Sequence, residues 1–315
     1  MQKTYYYTDE LNDDFANTHI ETKTLPEDYN FVPKSKGWKV VRLLVYRMIV
    51  TPIIKLVKVF SGTKIKNKQV LKPYKKQGAY IYGNHTGYAN DAFMPTEVAF
   101  PRTADIVVNP DAVSIKFVGG IVKACGGIPV PDSVRGLKRF TADLDYAIEN
   151  KHWIAIYPEA HIWPYYTGIR PYGAASFKYP AKSGTPVFSY TTVHKKRMFF
   201  KKPRRVVYID GPFFADQSLP LKQRTQKLRD EVYAAMCERA KLTTKEYVSY
   251  VKLTDPHIAD VLNNMQKNKK RAPFFPKKRR EMRAFIDEMC KEYGVSNAND
   301  YSDYDQQTAE SVSEN

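Results

Sequence analysis

The sequence predicts an α/β fold: a single domain with a largely parallel central sheet flanked by helices, preceded by an amphipathic helical segment. Short apolar runs rich in β-branched and aromatic residues alternate with helical patterns between about residues 74 and 242. The chain has 315 residues and a hydrophobic content of 43%, enough for one sizeable core with appendages. A strongly apolar stretch with regularly placed cations precedes the first run.

The predicted strands are six, and helical patterns lie between several of them. The strands are AYIYG (79–83), DIVV (105–108), GIPV (127–130), WIAIY (153–157), PVFSYTTV (186–193) and RVVYI (205–209). Ser133 can cap a helix in which Leu137, Phe140, Leu144, Ala147 and Ile148 share a face. A later helix is marked by Leu221, Leu228, Val232, Ala235 and Met236.

Charge and cysteine content narrow the class of protein. The net charge of +17 indicates an anionic partner: lipid headgroups, nucleic acid, or an acidic or phosphorylated molecule. Cys125, Cys237 and Cys290 lie far apart and form no Cys-x-x-Cys pair, which favours a reduced compartment and no structural zinc. The polar, acidic N-terminus is unlike a signal peptide, and we therefore expect a cytoplasmic protein.

The segment 35–65 is predicted to form two short amphipathic helices. Lys39, Arg42 and Arg47 fall on one side of a helical wheel, and apolar residues fill the remainder. Pro52 is expected to break the run because it lacks a backbone donor. Helices lying in the headgroup plane at the cytoplasmic face of the cell membrane, peripheral or monotopic, explain this pattern better than a span. The alternative is a helix packed on its own domain.

The ends of the chain differ in composition from the middle. Residues 1–34 form a predicted polar arm, 246–295 a basic extension, and 296–315 an acidic tail that we expect to be disordered. Within the extension, the run 267–283 mixes cations with Phe274 and Phe275. This composition suits either an interface with lipid or acidic protein, or a solvated linker.

The most informative segment is YIYGNHTGYANDAF (80–93). His85 is expected at the exit of a strand, where loops position reactive groups on a rigid scaffold. Asp91 follows closely, and a carboxylate of this kind can fix the tautomer of an imidazole and make it basic enough to take a proton from an alcohol. The alternative is a capping or core histidine beside an aspartate that starts a helix.

Three further segments carry candidate binding groups. GGIPVPDSVRG (126–136) combines Gly126 and Gly127 with Arg135 near a helix start, a pattern that suits phosphate, although an ordinary turn explains it as well. Glu159 follows a predicted strand, where it either caps a helix or accepts a hydrogen bond from substrate. Arg170 lies downstream of it, and Pro186 introduces the strand at 186–193.

Together these four segments, in this order, resemble the four sequence blocks of the glycerolipid acyltransferase family, which includes the lysophosphatidate acyltransferases. The resemblance runs from about Tyr74 to Leu242, and NHTGYAND is similar to the catalytic Asn-His-x4-Asp block. The chain departs from the family in three places, one of which is Ala160-His161 in place of the Gly-Thr of the third block. Asn90 stands where the family has its aspartate, with Asp91 one residue later. Asp132 stands where the family has its arginine.

The resemblance implies that residues 66–245 are an acyltransferase domain. Such a domain transfers an acyl group from an acyl thioester or acyl phosphate to a lysophospholipid hydroxyl, above all that of 1-acylglycerol-3-phosphate. His85, oriented by Asp91 or, as the rival partner, by Asn90, would be the general base. The substrate-binding residues would be Asn84, Gly126, Gly127, Arg135, Glu159, Arg170 and Pro186. Of these, Arg135 would neutralise the phosphate, with Lys123 or Arg170 in reserve.

The implied partners are few. The acyl donor would be a co-substrate (acyl-CoA, acyl-carrier protein or acyl phosphate), with no metal, no other cofactor and no nucleic acid. Two alternatives stay open: a non-catalytic basic protein that binds membrane surfaces, and a lipid hydrolase that uses the same His–Asp pair on water.

Overall fold

The structure is a computed structural model that describes residues 3–15, 24–54, 56, 62–87, 91–102, 104–114 and 118–269. It divides into two compact units, a larger one spanning 16–245 and a smaller one combining 1–15 with 246–315. The strands are β1 (Lys3–Tyr7), β2 (Lys64–Lys66), β3 (Ala79–Gly83), β4 (Ala104–Val108), β5 (Gly127–Pro129), β6 (Trp153–Ile156), β7 (Val187–Lys195), β8 (Arg204–Phe213) and β9 (Val248–Lys252). The helices are α1 (Lys36–Val45), α2 (Met94–Ala99), α3 (Asp111–Ser114), α4 (Val118–Ala124), α5 (Val134–Glu149), α6 (Lys178–Ser183), α7 (Leu221–Ala240) and α8 (Pro256–Lys269).

The larger unit is built around a seven-stranded sheet in the order β2-β8-β7-β3-β6-β4-β5. Its neighbouring strands are parallel except for the pair β7–β8, so that β2 and β8 run opposite to the other five. This confirms the predicted α/β fold with a largely parallel sheet. Because β3, β6 and β7 are parallel neighbours, their carboxyl ends meet along one edge, which we call the carboxyl edge; the opposite one is the amino edge.

The core lies on both faces of this sheet. Successive residues of β3 point to opposite faces, so Tyr80 and Tyr82 pack with side chains from α5 and α7, whereas Ile81 packs with side chains from α2. All five residues of β3 are buried. The loop that follows β3 therefore leaves a fully buried strand, a rigid support for reactive groups.

Helix α1 and the turn that follows it are attached to the sheet by Arg42 and Tyr46. Arg42 points inward and forms an ion pair with the buried Asp105, whereas we expected it on the polar face with Lys39 and Arg47. Tyr46 is buried as well, and its hydroxyl lies 2.8 Å from the carbonyl oxygen of Ala104. The outward face is apolar, with exposed side chains at Val40, Val41, Leu43, Leu44, Met48, Ile49 and Ile53.

Pro52 does not end this helical segment. A π-helical turn at Tyr46–Val50 follows α1, the N–H of Thr51 donates to the carbonyl of Tyr46, and residues 51–54 are helical. The wider turn moves the hydrogen bonds just before the proline onto a more distant carbonyl, which accommodates a residue without an N–H. Across the described residues, no helix combines the length and apolar character needed to cross a bilayer.

The smaller unit contains strand structure where the sequence predicted a polar arm. Strands β1 and β9 pair in parallel, and Tyr5 stacks on Tyr250 at a centroid distance of 5.4 Å. Asn263 of α8 donates to the carbonyl of Tyr6 at 2.8 Å and accepts from its N–H at 3.0 Å. The predicted boundary between residues 245 and 246 coincides with the division between the observed units, whereas the predicted boundary at residue 34 differs from the observed one at residue 15. The tail at 296–315, and the basic run at 267–283 from residue 270 onward, lie outside the described residues.

Candidate active site

The candidate site begins where β3 ends, at the carboxyl edge. Asn84 extends the pairing of β3 with β7: its Oδ1 accepts from the N–H of Thr192 at 2.8 Å, and its Nδ2 donates to the Thr192 carbonyl at 3.0 Å. We had assigned Asn84 to substrate, but its buried amide is occupied by this backbone contact. Its role in the structure is to fix the chain direction at the residue before His85.

The imidazole of His85 is paired with the carboxylate of Asp91. Nδ1 of His85 lies 2.8 Å from Oδ2 of Asp91, and the same oxygen accepts from the N–H of Gly87 at 2.8 Å. An ionised carboxylate can only accept, so Nδ1 carries the proton and Nε2 has a free lone pair. No hydrogen bond within the described residues engages Nε2, and the His85 side chain is 15% exposed. This arrangement can accept a proton from a substrate.

The loop after β3 accommodates the displaced aspartate through close packing. A β-carbon built on Gly87 would lie 2.6 Å from Oδ1 of Asp91, so only glycine leaves room for the carboxylate. Asn90, the rival partner of His85, lies outside the described residues. The observed contact is made by Asp91.

Tyr157, which sequence analysis missed as a site residue, supports both members of the pair. Its ring stacks on the His85 ring at a centroid distance of 4.3 Å and an interplanar angle of 16°. Its hydroxyl donates to the carbonyl of Asp91 at 2.5 Å. Burial raises the pKa of Tyr157 well above its ordinary value, which keeps the hydroxyl protonated as a donor. Its position directly after β6, at the same edge as His85, is the signal that could have identified it.

Glu159 holds the backbone of the loop. Its Oε2 accepts from the N–H of His85 at 3.0 Å, and its Oε1 accepts from the N–H of Arg170 at 3.1 Å. Burial raises the pKa of Glu159, and the nearby Arg170 guanidinium and these two N–H donors act against that shift. We had assigned Glu159 to substrate, but its side chain is 1% exposed and both oxygens are engaged. Glu159 therefore positions His85 through the backbone N–H of that residue.

Arg170 is enclosed in the same loop system. Its side chain is 0% exposed, and Nη2 donates to the carbonyls of Glu159, at 2.9 Å, and of His161. The guanidinium lies over the ring of Trp163, and the backbone N–H of Trp163 donates to the His85 carbonyl at 3.0 Å. Arg170 therefore does not present a cation to an incoming phosphate, contrary to the sequence-based assignment. It ties the 159–170 loop to the loop that carries His85.

Three predicted substrate-binding residues lie at the amino edge, away from His85. Gly126 and Gly127 stand at the amino end of β5, where a β-carbon on Gly126 would meet Asp105 at 2.7 Å. Pro186 precedes β7, and its carbonyl accepts from the N–H of Tyr80 at 3.0 Å. Because β5 and β7 are parallel to β3, their amino ends lie at the edge opposite the His85 loop. These residues serve the packing of the sheet.

Arg135 lies toward the carboxyl edge but far along it. It belongs to the first turn of α5, after β5, which is the outermost strand of the sheet. Two strands separate β5 from β3, which corresponds to about 14 Å at the usual spacing of sheet strands. Arg135 is 72% exposed and forms an ion pair with Glu27. Lys123, the reserve cation, is half-buried in α4 over the ring of Tyr29.

A cation from β8 lies beside the His85–Asp91 pair. Arg205 pairs in register with His194 of β7, and its Nη1 would lie 3.6 Å from a β-carbon on Gly87, the same position that faces Asp91. Burial lowers the pKa of Arg205, while the negative charge of Asp91 acts in the opposite direction. No ion pair within 4 Å engages Arg205 in the part of the chain that the structure describes. Sequence analysis missed this residue because no motif surrounds it.

His194 lies beside Arg205 and differs from His85. It is 1% exposed, and neither ring nitrogen has a hydrogen-bond partner among the described residues. Burial, together with the charge of Arg205, lowers the pKa of His194 to about 4. A histidine in this environment is neutral at physiological pH.

A second His–Asp pair lies at the amino edge. Nδ1 of His152 is 2.7 Å from Oδ2 of Asp105, and Oδ1 of the same aspartate binds Arg42. Burial acts to raise the pKa of Asp105, but the Arg42 guanidinium and His152 lower it further than burial raises it. Within the described ranges, no group of His, Cys, Asp or Glu side chains is arranged to hold a metal ion.

Comparisons with known proteins find a likeness among solved structures. No family model matches the chain, and no curated protein matches it. Among solved structures, the chain is similar to the 1-acyl-sn-glycerophosphate (LPA) acyltransferase PlsC from Thermotoga maritima, with 14% identity and a TM-score of 0.46. The likeness covers 69% of this chain and 87% of that one. A likeness of this size does not establish an activity, and the functional conclusion depends on the site itself.

Proposed function

We propose that this protein is an acyltransferase that uses His85 as a general base to acylate a free hydroxyl of a lysophospholipid, with 1-acylglycerol-3-phosphate as the acceptor and phosphatidate as the product. The observation that carries the proposal is the 2.8 Å contact between His85 Nδ1 and Asp91 Oδ2, combined with an Nε2 that has no described partner. The order of the four sequence blocks, which resembles that of the glycerolipid acyltransferase family, is the reason for proposing acyl transfer as the reaction.

The reaction transfers one acyl group and one proton. Nε2 of His85 takes the proton of the acceptor hydroxyl as its oxygen attacks the carbonyl carbon of the acyl thioester or acyl phosphate. The tetrahedral intermediate then collapses, and the bond from the acyl carbon to the thioester sulfur or to the phosphate oxygen breaks. The imidazolium returns the proton to the departing thiolate or phosphate. Asp91 stabilises the imidazolium throughout. General-base assistance of this kind contributes about 10²–10⁴-fold.

The residues around the pair have separate tasks in this scheme. Glu159 and Tyr157 position the imidazole: the carboxylate binds the His85 N–H, and the ring stacks on the imidazole. Arg205 would neutralise the phosphate of the acceptor, because it is the cation that flanks Gly87 beside Asp91. We favour it over Arg135, which stands at the outermost strand in an ion pair with Glu27.

The acceptor is a lipid, and α1 gives the enzyme a means to reach it. Exposed apolar side chains on one face of a helix mark an interaction surface, and here they include Val40, Leu44 and Met48. We propose that this face lies in the headgroup region of an anionic membrane, as a peripheral or monotopic attachment at the cytoplasmic side. The donor, acyl-CoA, acyl-carrier protein or acyl phosphate, is acidic and is attracted by the net charge of +17.

The reaction class is tested by supplying the purified full chain with labelled lysophosphatidate and each of the three acyl donors. The proposal predicts labelled phosphatidate with at least one donor. It is wrong in its reaction class if free fatty acid appears at the same rate with and without the acceptor, because a hydrolase uses water in either case. It fails altogether if no donor is consumed while the chain binds vesicles, which is the behaviour of a non-catalytic membrane-binding protein.

A further inference from the structure

The connection between β7 and β8 has an apolar tip with cationic residues on both sides of it. The tip, residues 196–203, reads KRMFFKKP; it follows Lys195 at the end of β7 and precedes Arg204 and Arg205. Met198 and Phe199 are each 86% exposed, and Phe200 is 60% exposed. Nothing in the described structure covers these three side chains. Large adjacent apolar side chains in water mark an interaction surface.

We propose that the 196–203 tip inserts into the headgroup region of an anionic lipid bilayer and holds the His85 site at the membrane surface. The tip matches a bilayer in both of its parts. Aromatic and apolar side chains at the apex suit the boundary between headgroups and acyl chains, and the lysines and arginines on either side suit the phosphate level.

The cations of the tip are free to bind headgroups. None of Lys196, Arg197, Lys201 and Lys202 forms an ion pair with a carboxylate in the described ranges. Arg197 lies over the ring of Phe200 at 4.1 Å, and Lys202 lies over the ring of Tyr165 at 5.7 Å. These contacts hold the charges beside the aromatic rings without neutralising them.

Charge also decides between possible occupants of the tip. A second copy of this chain would bring the same cluster of cations against itself, on a protein whose net charge is already +17. An anionic bilayer supplies negative charge and an apolar interior in one surface. A protein partner would have to supply an apolar groove bordered by acidic residues.

The position of the tip connects it with the candidate site. The last register pairs of the hairpin are His194 with Arg205 and Lys195 with Arg204, at the carboxyl edge where His85 lies. Arg205, beside Gly87, is no more than about 17 Å along an extended chain from Phe200. A tip inserted at the headgroup level would therefore keep the site within reach of a lipid acceptor. This last consequence rests on the proposed function, whereas membrane insertion itself does not.

The test measures binding of the full chain to vesicles of equimolar phosphatidylglycerol and phosphatidylcholine, and to vesicles of phosphatidylcholine alone. We expect the wild type to prefer the anionic vesicles and F199S/F200S to bind them at least about tenfold more weakly. The matched control is V134S, which removes a valine that is 78% exposed on α5 and should bind like the wild type. Unfolding temperatures of both variants verify that the fold is intact.

A second measurement locates the tip directly. A tryptophan introduced by F199W should be quenched by brominated lipid in anionic vesicles beyond the background of Trp38, Trp153 and Trp163, and one introduced by V134W should not. Unchanged binding by F199S/F200S, or no added quenching in F199W, would overturn the proposal. So would a dimer in solution that F199S/F200S abolishes, because the tip would then bind a second copy. Since H85A should bind vesicles like the wild type, failure of the enzymatic assay would leave this result unaffected.

Discussion

Two histidine–aspartate pairs of nearly identical geometry lie at opposite edges of the same sheet. The distance from Nδ1 to Oδ2 is 2.8 Å for His85 and Asp91 and 2.7 Å for His152 and Asp105. The aspartates differ in what else they bind. Asp105 forms an ion pair with Arg42, whereas Asp91 accepts from the N–H of Gly87 and has Arg205 nearby without an ion pair.

The difference shows that a short His–Asp contact does not by itself define a catalytic pair. At the amino edge, the negative charge of Asp105 forms an ion pair with Arg42, and this ion pair anchors α1 to the sheet. At the carboxyl edge, the charge of Asp91 is directed to His85, whose backbone is fixed by Glu159 and Trp163. The first pair is a structural clamp, and we propose that the second is a base.

The largest expected effects come from exchanging the two aspartates for asparagine. D91N removes the charge that stabilises the imidazolium, and we expect kcat to fall by about 10²–10⁴-fold with little change in stability. D105N leaves the guanidinium of Arg42 buried without a counter-charge, and we expect a loss of about 3–5 kcal/mol in the free energy of unfolding. Steady-state kinetics and urea unfolding of both variants measure the two effects. A stability loss in D91N, or a kcat loss in folded D105N, would reverse the assignment.

Asp105 also predicts a pH dependence. Because its pKa in the folded protein is lower than its ordinary value, the carboxylate contributes stability above about pH 4, and this contribution is lost as the pH falls through the lower folded-state pKa. D105N should not show this part of the loss of stability at low pH. If wild type and D105N lose stability in parallel below pH 4, the aspartate is not the stabilising group that we describe.

His194 extends the comparison to a buried histidine without a carboxylate. Its pKa of about 4 lies below the usual value of 6.5, so between these pH values the unfolded chain binds a proton that the folded chain does not. Stability should therefore fall by about 3 kcal/mol as the pH drops from 6.5 to 4. H194Q should lack this component, and H257Q, at an exposed histidine, should retain it. If the free energies of unfolding of wild type and H194Q differ by the same amount at every pH between 6.5 and 4, the assignment to His194 is contradicted.

The smallest expected effect separates the two candidate cations for the phosphate. R205M should raise KM for lysophosphatidate about tenfold, because a charge-assisted hydrogen bond to a phosphate is lost. R135M, at a residue that is 72% exposed in the first turn of α5, should leave KM close to the wild-type value. An acceptor without a phosphate, a monoacylglycerol, should show no difference between R205M and the wild type. If R135M raised KM for lysophosphatidate more than R205M, Arg135 would be the residue that binds the phosphate.

The features that could be predicted from the sequence are those that depend on residues close together along the chain. The apolar runs at 79–83 and 153–157 predicted β3 and β6 closely, because strands that are buried on both faces require continuous apolar residues. The segment at 80–93 identified both members of the His85 pair, since both lie in one short loop. The strand-exit rule that pointed to His85 applies equally to Tyr157.

The remaining features depend on residues that are distant in sequence. Arg42 on an amphipathic helix reads as solvent-exposed, and nothing local reveals that Asp105 will bind it from inside the sheet. Strand β1 pairs with β9 at the other end of the chain, so its tyrosines read as part of a polar arm. The carboxylate of Glu159 binds two backbone N–H groups that come together only after the loops fold.

The most direct test of the central claim compares acyl transfer by H85A with that by H152A, under conditions in which both variants are folded. The account predicts that H85A loses the general-base contribution of about 10²–10⁴-fold and that H152A transfers acyl groups at a rate close to the wild type. Retained activity in H85A, or an equal loss in both variants, would contradict it.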